Sequence, residues 1–150
     1  MRTYAHLADL AALAGHDIGS SDWLVIEQSR IDRFADATGD QQWIHTDPVR
    51  AAAGPFGAPV AHGFLTLSLL PMMFDSAFVV ADVRMGVNYG LNRVRFVSPV
   101  RVGSRVRGCF KLLSFEPLEG GAQLTVQATI ELDGSAKPAC VAETVSRRYI

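Results

Sequence analysis

An acid, an imidazole and a glycine stand close together in the first half of this 150-residue chain. Asp40 and His45 are separated by four residues, and Gly63 follows a Pro/Gly-rich passage at the start of an apolar segment. A histidine titrates near neutral pH, at about 6.5, so it can take up a proton, and a carboxyl group can supply one. Backbone N–H groups in the first turn of a helix lack internal partners and can stabilise an oxyanion. These residue types indicate the addition or removal of water beside a carbonyl group.

The spacing of Asp40 and His45 constrains the local backbone. A five-residue offset would splay the two side chains around a regular helix instead of stacking them. We therefore expect the chain to turn between them, as Gly39 before the acid and Pro48 after the imidazole indicate. Each residue alone also fits a simpler interpretation, Asp40 as a turn residue with a local hydrogen bond and His45 as a hydrogen-bonded turn histidine. The pair, followed by a His-Gly helix start, favours the catalytic interpretation.

Two further roles are open around the helix start. The N–H of Gly63 is the candidate oxyanion donor, although a glycine there would also permit tight packing of the helix. His62 is better interpreted as a structural histidine that bonds a neighbouring loop than as a second base. Metal binding by His45, His62 and Asp47 is conceivable, but no two of them have the HxxxH or HxH spacing of a strong site, so we expect no metal.

Composition narrows the class of protein. Nearly half of the residues are apolar, which predicts one domain over residues 1–150 with its own core. The formal net charge of −1 argues against a general binder of nucleic acid or anionic membranes. The apolar run 64–74 is too short to span a bilayer, and no signal segment is visible. Cys109 and Cys140 have no metal-site spacing, which favours reduced thiols in a cytoplasmic protein and leaves a disulfide open.

The elements that must position these residues form an α+β pattern. An apolar helix is predicted over 62–74; it has no polar face, so it must be enclosed, and Pro71 should kink or end it. β-branched, partly alternating segments after it predict an antiparallel sheet wrapped around this one long buried central helix. Smaller elements are a helix up to residue 14, a strand over 23–26, a helix over 30–38 with Ser29 as N-cap and Gly39 at its end, and a helix over 48–53 with Asp47 as N-cap. The predicted strands cover 79–85, 91–97, 101–115, 123–132 and 139–149, with breaks at 86–90, 98–99, 116–121 and 133–138.

Three segments of the sequence, 37–48, 56–63 and 88–96 with Pro99 and Val100, resemble the MaoC-like (R)-specific enoyl-CoA hydratases and dehydratases, which have the hotdog fold. The family commonly reads Asp-x-Asn-Pro-x-His, and here Gln42 and Trp43 stand at the Asn and Pro positions. Some members have a serine where this chain has Pro71. These departures bear on acyl-chain specificity and leave the reaction type unchanged.

The resemblance implies a lyase of fatty acid metabolism that hydrates trans-2-enoyl-CoA to (3R)-3-hydroxyacyl-CoA and catalyses the reverse dehydration. Asp40 and His45 would activate water and Gly63 would hold the thioester oxygen, with no metal or other cofactor, since coenzyme A belongs to the substrate. It also implies a homodimer that binds an acyl-CoA thioester and neither nucleic acid nor membrane. An acyl-CoA thioesterase and a non-enzymatic acyl-CoA-binding module on the same fold are the alternatives. The implied substrate-binding residues are Val60, Ala61, His62, Gly63, Gly86, Val87, Asn88, Tyr89, Val97, Ser98 and Pro99.

Overall fold

One antiparallel sheet of six strands is the main element of the computed structural model, which describes residues 1–150. Its strands follow the order β2-β6-β7-β8-β5, and β3 also pairs with β6. β5 therefore has a neighbour on one side only. A separate parallel pair joins β1 to β4. The strands are β1 (Arg2–Tyr4), β2 (Asp17–Ser20), β3 (Leu24–Val25), β4 (Phe78–Val80), β5 (Met85–Phe96), β6 (Arg105–Leu118), β7 (Gly121–Leu132) and β8 (Cys140–Tyr149).

One face of the sheet forms a wall of the core, because side chains alternate between its two faces. Every second residue of β7 from Ala122 to Ile130 is buried, as expected for a strand with one face on the core. β6 and β7 are joined by a tight hairpin, where Gly120 has a positive φ of 70° that favours glycine. The sheet thus gives the helices a continuous apolar floor.

Five helices lie on the chain: α1 (Gln28–Thr38), α2 (Trp43–Thr46), α3 (Pro48–Ala52), α4 (Gly63–Ser68) and α5 (Leu70–Ala77). Gly39 ends α1 in the left-handed conformation, and the Asp47 side chain accepts a 3.0 Å hydrogen bond from the Arg50 N–H at the start of α3. Both of these predicted helix ends are confirmed. The predicted N-cap Ser29 is wrong, because α1 begins two residues earlier than predicted and Glu27 occupies the cap position.

The predicted central helix is present as two consecutive helices. α4 and α5 are separated at Leu69, and Pro71, which lacks an N–H, lies in the first turn of α5. One face of the pair, which includes Leu65 and Met73, is buried against the sheet. The expectation of complete enclosure is wrong for the other face, since Phe64 is 69% exposed.

Three other sequence predictions need correction. The predicted break at 86–90 lies inside β5. The pairing with β8 shifts register between Asn88 and Gly90 and again between Leu91 and Arg93, but the strand does not end there. The predicted N-terminal helix is the short strand β1 followed by a 3-10 helix, Leu7–Leu13. β2 was not predicted, because its composition is typical of a turn. Its single buried residue, Ile18, lies close to Gly15, His16 and Gly19 in the sequence.

No helix in the fold combines the length and the apolar character that a membrane crossing requires. Cys109 and Cys140 are both free cysteines, so the disulfide that the sequence left open is not formed between them. Burial raises the pKa of Cys140 to about 11 and also raises the pKa of Cys109. Neither thiol has the lowered pKa of a reactive nucleophile.

Candidate active site

His45 lies on the short helix α2 with its ring buried. Its Nδ1 is 2.6 Å from the backbone carbonyl oxygen of Val60. Because a carbonyl can only accept, Nδ1 carries the hydrogen and Nε2 keeps the free lone pair. Desolvation by burial lowers the pKa of His45 and outweighs the opposing effects of the Val60 bond and the nearby Asp40 charge. The ring is held as a neutral base with one defined acceptor atom.

Asp40 lies in the loop between α1 and α2, directly after the left-handed Gly39. The chain turns here, as predicted, and brings a carboxylate oxygen within 4.8 Å of a ring nitrogen of His45. Oδ1 also accepts a weak 3.4 Å hydrogen bond from the Gln42 N–H, the local bond of the simpler interpretation. Within one chain the Asp40 side chain is 53% exposed.

His62 connects the two residues. Its ring stacks on that of His45 at a centroid separation of 3.7 Å and an interplanar angle of 24°. Its Nε2 lies 2.9 Å from the backbone carbonyl oxygen of Asp40, to which it donates. His62 is therefore a buried histidine that bonds a neighbouring loop, as the sequence interpretation favoured. The ring is enclosed by Phe34, His45 and the loop of Asp40, and the substrate contact expected at His62 remains a prediction.

Asp40, His45 and His62 each offer a potential ligand atom, and the three atoms lie within 4.8 Å of one another. Their geometry does not fit a metal centre. A metal ion binds in the ring plane at about 2.0–2.1 Å from an imidazole nitrogen, and the in-plane lone pairs of two stacked rings run side by side instead of converging. Asp47, the third residue considered from sequence, instead caps α3.

Gly63 is the first residue of α4, and its N–H makes no hydrogen bond within the chain. A Cβ at this position would lie 3.0 Å from the ring of Phe96. The glycine therefore serves the packing role considered from sequence, since it lets the aromatic ring of β5 lie against the helix start. The free N–H remains available as a donor beside that ring.

Many of the predicted substrate-binding residues surround one cavity of about 270 Å³. Its walls come from the segment before α4, from the first turn of α4 and from the segment after β5. Gly86 and Val87 do not line it; Gly86 lies under the guanidinium of Arg148. The predicted residues that do line this cavity are Val60, Ala61, Gly63, Val97, Ser98 and Pro99.

A second cavity of about 370 Å³ continues along the helices toward α5. Asn88 and Tyr89 line it, together with Leu67, Pro71 and Phe74. Phe74 also lines a third cavity of about 340 Å³ at the far end of α5. Eight of the eleven predicted residues thus line one or the other of two cavities, and Phe74 lines both the second and the third.

Trp43, at one of the two positions that depart from the common motif, has a packing role that sequence reasoning missed. Its ring lies over Gly54, where a Cβ would approach within 2.9 Å, and the guanidinium of Arg50 lies 4.4 Å from the ring centroid. This contact joins α2 to the loop after α3, so it supports the helix that carries His45. The Trp-to-Gly spacing of eleven residues gives no periodic signal from which the contact could have been predicted.

Residues 9–133 match the family model described as MaoC like domain. The chain belongs to the MaoC-like domain family. It is 57% identical over 148 residues to 3-hydroxyacyl-thioester dehydratase Z of Mycobacterium tuberculosis (strain ATCC 25618 / H37Rv), with 98% of each chain covered. It is 47% identical to Nodulation protein N of Rhizobium leguminosarum bv. viciae over 93% of this chain and 89% of that protein.

Solved structures of MaoC-like proteins share the same architecture. The MaoC-like dehydratase from Rhodospirillum rubrum superposes with a TM-score of 0.72 at 22% identity, covering 97% of this chain and 98% of that one. The (R)-hydratase from A. caviae involved in PHA biosynthesis gives a TM-score of 0.67 at 22% identity, with 89% and 94% covered. These matches confirm the α+β hotdog fold that the sequence predicted.

Proposed function

We propose that this MaoC-like protein is a hydro-lyase that adds water to a trans-2-enoyl-CoA to give the (3R)-3-hydroxyacyl-CoA and catalyses the reverse dehydration. One observation carries the proposal: the Asp40 carboxylate and the His45 ring are brought together, and the hydrogen bond to Val60 leaves Nε2 as the free base atom. The name of the 57% identical relative, a 3-hydroxyacyl-thioester dehydratase, supports the same reaction class.

The two side chains divide the proton transfers. In hydration, a water oxygen bonds to Cβ of the enoyl group and the water loses a proton to Nε2 of His45. Cα gains a proton from the carboxyl group of Asp40, and proton exchange with solvent then restores both groups. Positioning the water between fixed groups is worth up to about 7–11 kcal/mol in favourable cases. The thioester itself acidifies Cα, so the residues need only hold and move protons.

The thioester oxygen becomes negatively charged as water adds, and the N–H of Gly63, which makes no hydrogen bond within the chain, donates to it. The 270 Å³ cavity beside Gly63 then holds the thioester end of the substrate. The acyl chain follows the two helices into the 370 Å³ cavity, whose walls include Leu67, Pro71 and Phe74. This path uses the predicted residues Asn88 and Tyr89 as walls of the acyl cavity.

A second copy of the chain completes the site in this proposal. β5 is an unpaired edge of twelve residues, and Val87, Tyr89 and Leu91 on it are exposed. An exposed apolar edge strand invites pairing with another chain. A homodimer through β5 would also cover Phe64 and supply the low-polarity cover that Asp40 needs to hold a proton.

The decisive experiment follows crotonyl-CoA in two channels, loss of enoyl-thioester absorbance and release of free thiol. Hydration predicts loss of absorbance without thiol and an (R)-configured product on chiral analysis. Asp40→Asn should retain the fold and lose this activity by ~10²–10⁴-fold. Thiol release would indicate a thioesterase, and tight binding of crotonyl-CoA without turnover would indicate a binding module; either result rejects the hydratase.

A further inference from the structure

His62 makes a hydrogen bond to one residue of the proposed acid–base pair and a stacked-ring contact with the other. Nε2 donates to the backbone carbonyl of Asp40 at 2.9 Å, and the face of the ring lies 3.7 Å from that of His45. The other ring nitrogen, Nδ1, is buried and has no hydrogen-bond partner. A buried ring nitrogen without a partner is costly, so the ring is placed for the contacts it does make.

The contact with Asp40 ties its loop to the buried interior. The other side-chain hydrogen bonds of residues 39–42 are 2.8–3.4 Å long and run within the loop or to Asp36, Thr38 and Thr46, none of which is buried. Gly39 allows the turn but does not fix its direction. The bond from the His62 N–H is the one hydrogen bond that joins Asp40 to a buried side chain.

The contact with His45 fixes the other partner. Val60 holds the edge of the His45 ring through Nδ1, but a single hydrogen bond tolerates a tilt of the ring about its Cβ–Cγ bond. The flat face of His62, itself backed by Phe34 at 4.9 Å, limits this tilt. With both restraints, the direction of Nε2 is set.

We infer that His62 is a positioning residue. It holds the Asp40 loop through its N–H and the His45 ring through its face, so that Asp40 and His45 can act on the same water molecule. The inference rests on the proposed hydration reaction but not on contact between His62 and substrate, because its ring is buried. It assigns to the helix-start histidine a role in turnover beyond packing.

The test separates the two contacts with two substitutions. His62→Phe retains a flat ring and removes the N–H, and His62→Gln retains a donor and removes the ring. We expect His62→Phe to lower kcat for crotonyl-CoA by about 10- to 100-fold with KM within about twofold, because loss of alignment slows chemistry without removing a binding contact. His62→Gln should recover part of this loss. His16→Gln, at an exposed histidine before β2, is the matched control and should behave as wild type.

A double-mutant cycle distinguishes positioning from folding. In an Asp40→Asn background, His62→Phe should cost less than about threefold, since the acid that the N–H positions no longer takes part in the reaction. Equal costs in both backgrounds, or a kcat near wild type in His62→Phe, would overturn the inference. Failure of the proposed function is a separate result, namely no hydration by the wild-type chain.

A readout without catalysis completes the test. Amide hydrogen exchange of residues 39–42 should rise in His62→Phe, with no change in His16→Gln, because the loop loses its tie to the interior. Unchanged exchange in this loop would overturn the inference whatever the activity. A thermal melt of each variant identifies any global unfolding, and His62→Gln then provides the folded comparison.

Discussion

The Nδ1 atom of His45 and the carbonyl oxygen of Val60 form a 2.6 Å hydrogen bond between two segments that lie fifteen residues apart. The bond does two things at once. It anchors the short helix α2 to the segment that leads into α4, and it assigns the hydrogen to Nδ1 so that Nε2 remains the acceptor. The position of the base thus depends on backbone geometry that no side-chain motif encodes.

Substitution of His45 can separate its base from its bond to Val60. His45→Asn places an amide donor near the Nδ1 position and has no group at Nε2, whereas His45→Ala loses both. We expect both variants to lose ~10²–10⁴-fold in kcat. His45→Ala should also be less stable, by about 1–3 kcal/mol in free energy of unfolding, because the buried carbonyl loses its partner. Urea unfolding and crotonyl-CoA kinetics measure the two effects; an active His45→Asn would refute the base role.

The pH dependence of hydration should report the buried imidazole. Desolvation lowers the pKa of His45, and the base works only while it is neutral. As pH falls through this lowered pKa, the ring gains a proton and kcat/KM decreases, so the acidic limb should have its midpoint below about 6.5, the value of an exposed histidine. A profile of kcat/KM against pH measures it, with circular dichroism at each pH to exclude unfolding. A midpoint above 6.5 would contradict the effect of burial.

Gly63→Ala tests the close approach of Phe96. The new Cβ would lie 3.0 Å from the ring, so the ring must move by a few tenths of an ångström. Because Phe96 is partly exposed on an edge strand, it can move, and alanine is the better helix former, so we expect the unfolding free energy to change by less than about 1 kcal/mol. The displaced ring enters the 270 Å³ cavity and should lower kcat/KM roughly tenfold.

The second-site variant Gly63→Ala with Phe96→Leu provides the control. The smaller side chain removes the crowding, so activity should return toward that of Phe96→Leu alone. If the double variant stays as slow as Gly63→Ala, the loss comes from the helix start itself and the crowding argument is wrong.

The sequence was sufficient where one local feature decides the structure. Gly39 predicted a helix end because its left-handed conformation is costly for other residues, and Asp47 before Pro48 predicted a helix start. The β-branched, partly alternating composition of the last two strands predicted their bounds to within two residues. The resemblance in the segments around Asp40 and Gly63 indicated the hotdog fold, which the solved structures confirm.

Contacts between distant segments could not be predicted. Nothing in the local sequence of His62 indicates that its ring stacks on His45 or bonds the carbonyl of Asp40, because both contacts depend on how α2 and α4 pack. The exposure of Asp40 is also a tertiary property. The continuous β5 was missed because its glycines favour turns locally, and pairing with β8 overrides that preference.

The unpaired edge of β5 predicts a change of oligomeric state on substitution. Val87 and Val25 are each 43% exposed, the first on β5 and the second on β3 at the opposite side of the sheet. Val87→Lys places a charge in the proposed interface and should shift the chain from dimer to monomer in sedimentation velocity, with loss of hydration. Val25→Lys is the matched control and should remain a dimer. Equal behaviour of the two variants would remove β5 as the interface.

The position of Phe74 predicts a limit on the length of the acyl chain that the protein accepts. Its ring lines both the 370 Å³ cavity and the 340 Å³ cavity beyond it, so it is a shared wall. Phe74→Ala should join the two cavities and raise kcat/KM for long enoyl-CoAs relative to crotonyl-CoA, by roughly tenfold for each 1.4 kcal/mol of added apolar burial. A series of enoyl-CoAs of increasing length measures the ratio.

Phe74→Ala is expected to lower the stability of the fold, so it needs a milder control variant. Phe74 stacks on Phe110 at 4.0 Å and meets Phe78 edge-on, so removing its ring should cost about 3–5 kcal/mol of stability. Phe74→Leu keeps most of the packing and a partial wall, and it should shift the length preference less. Chain-length ratios do not depend on the amount of folded enzyme, so they remain valid for a destabilised variant. An unchanged ratio in both variants would mean that the acyl chain does not reach this wall.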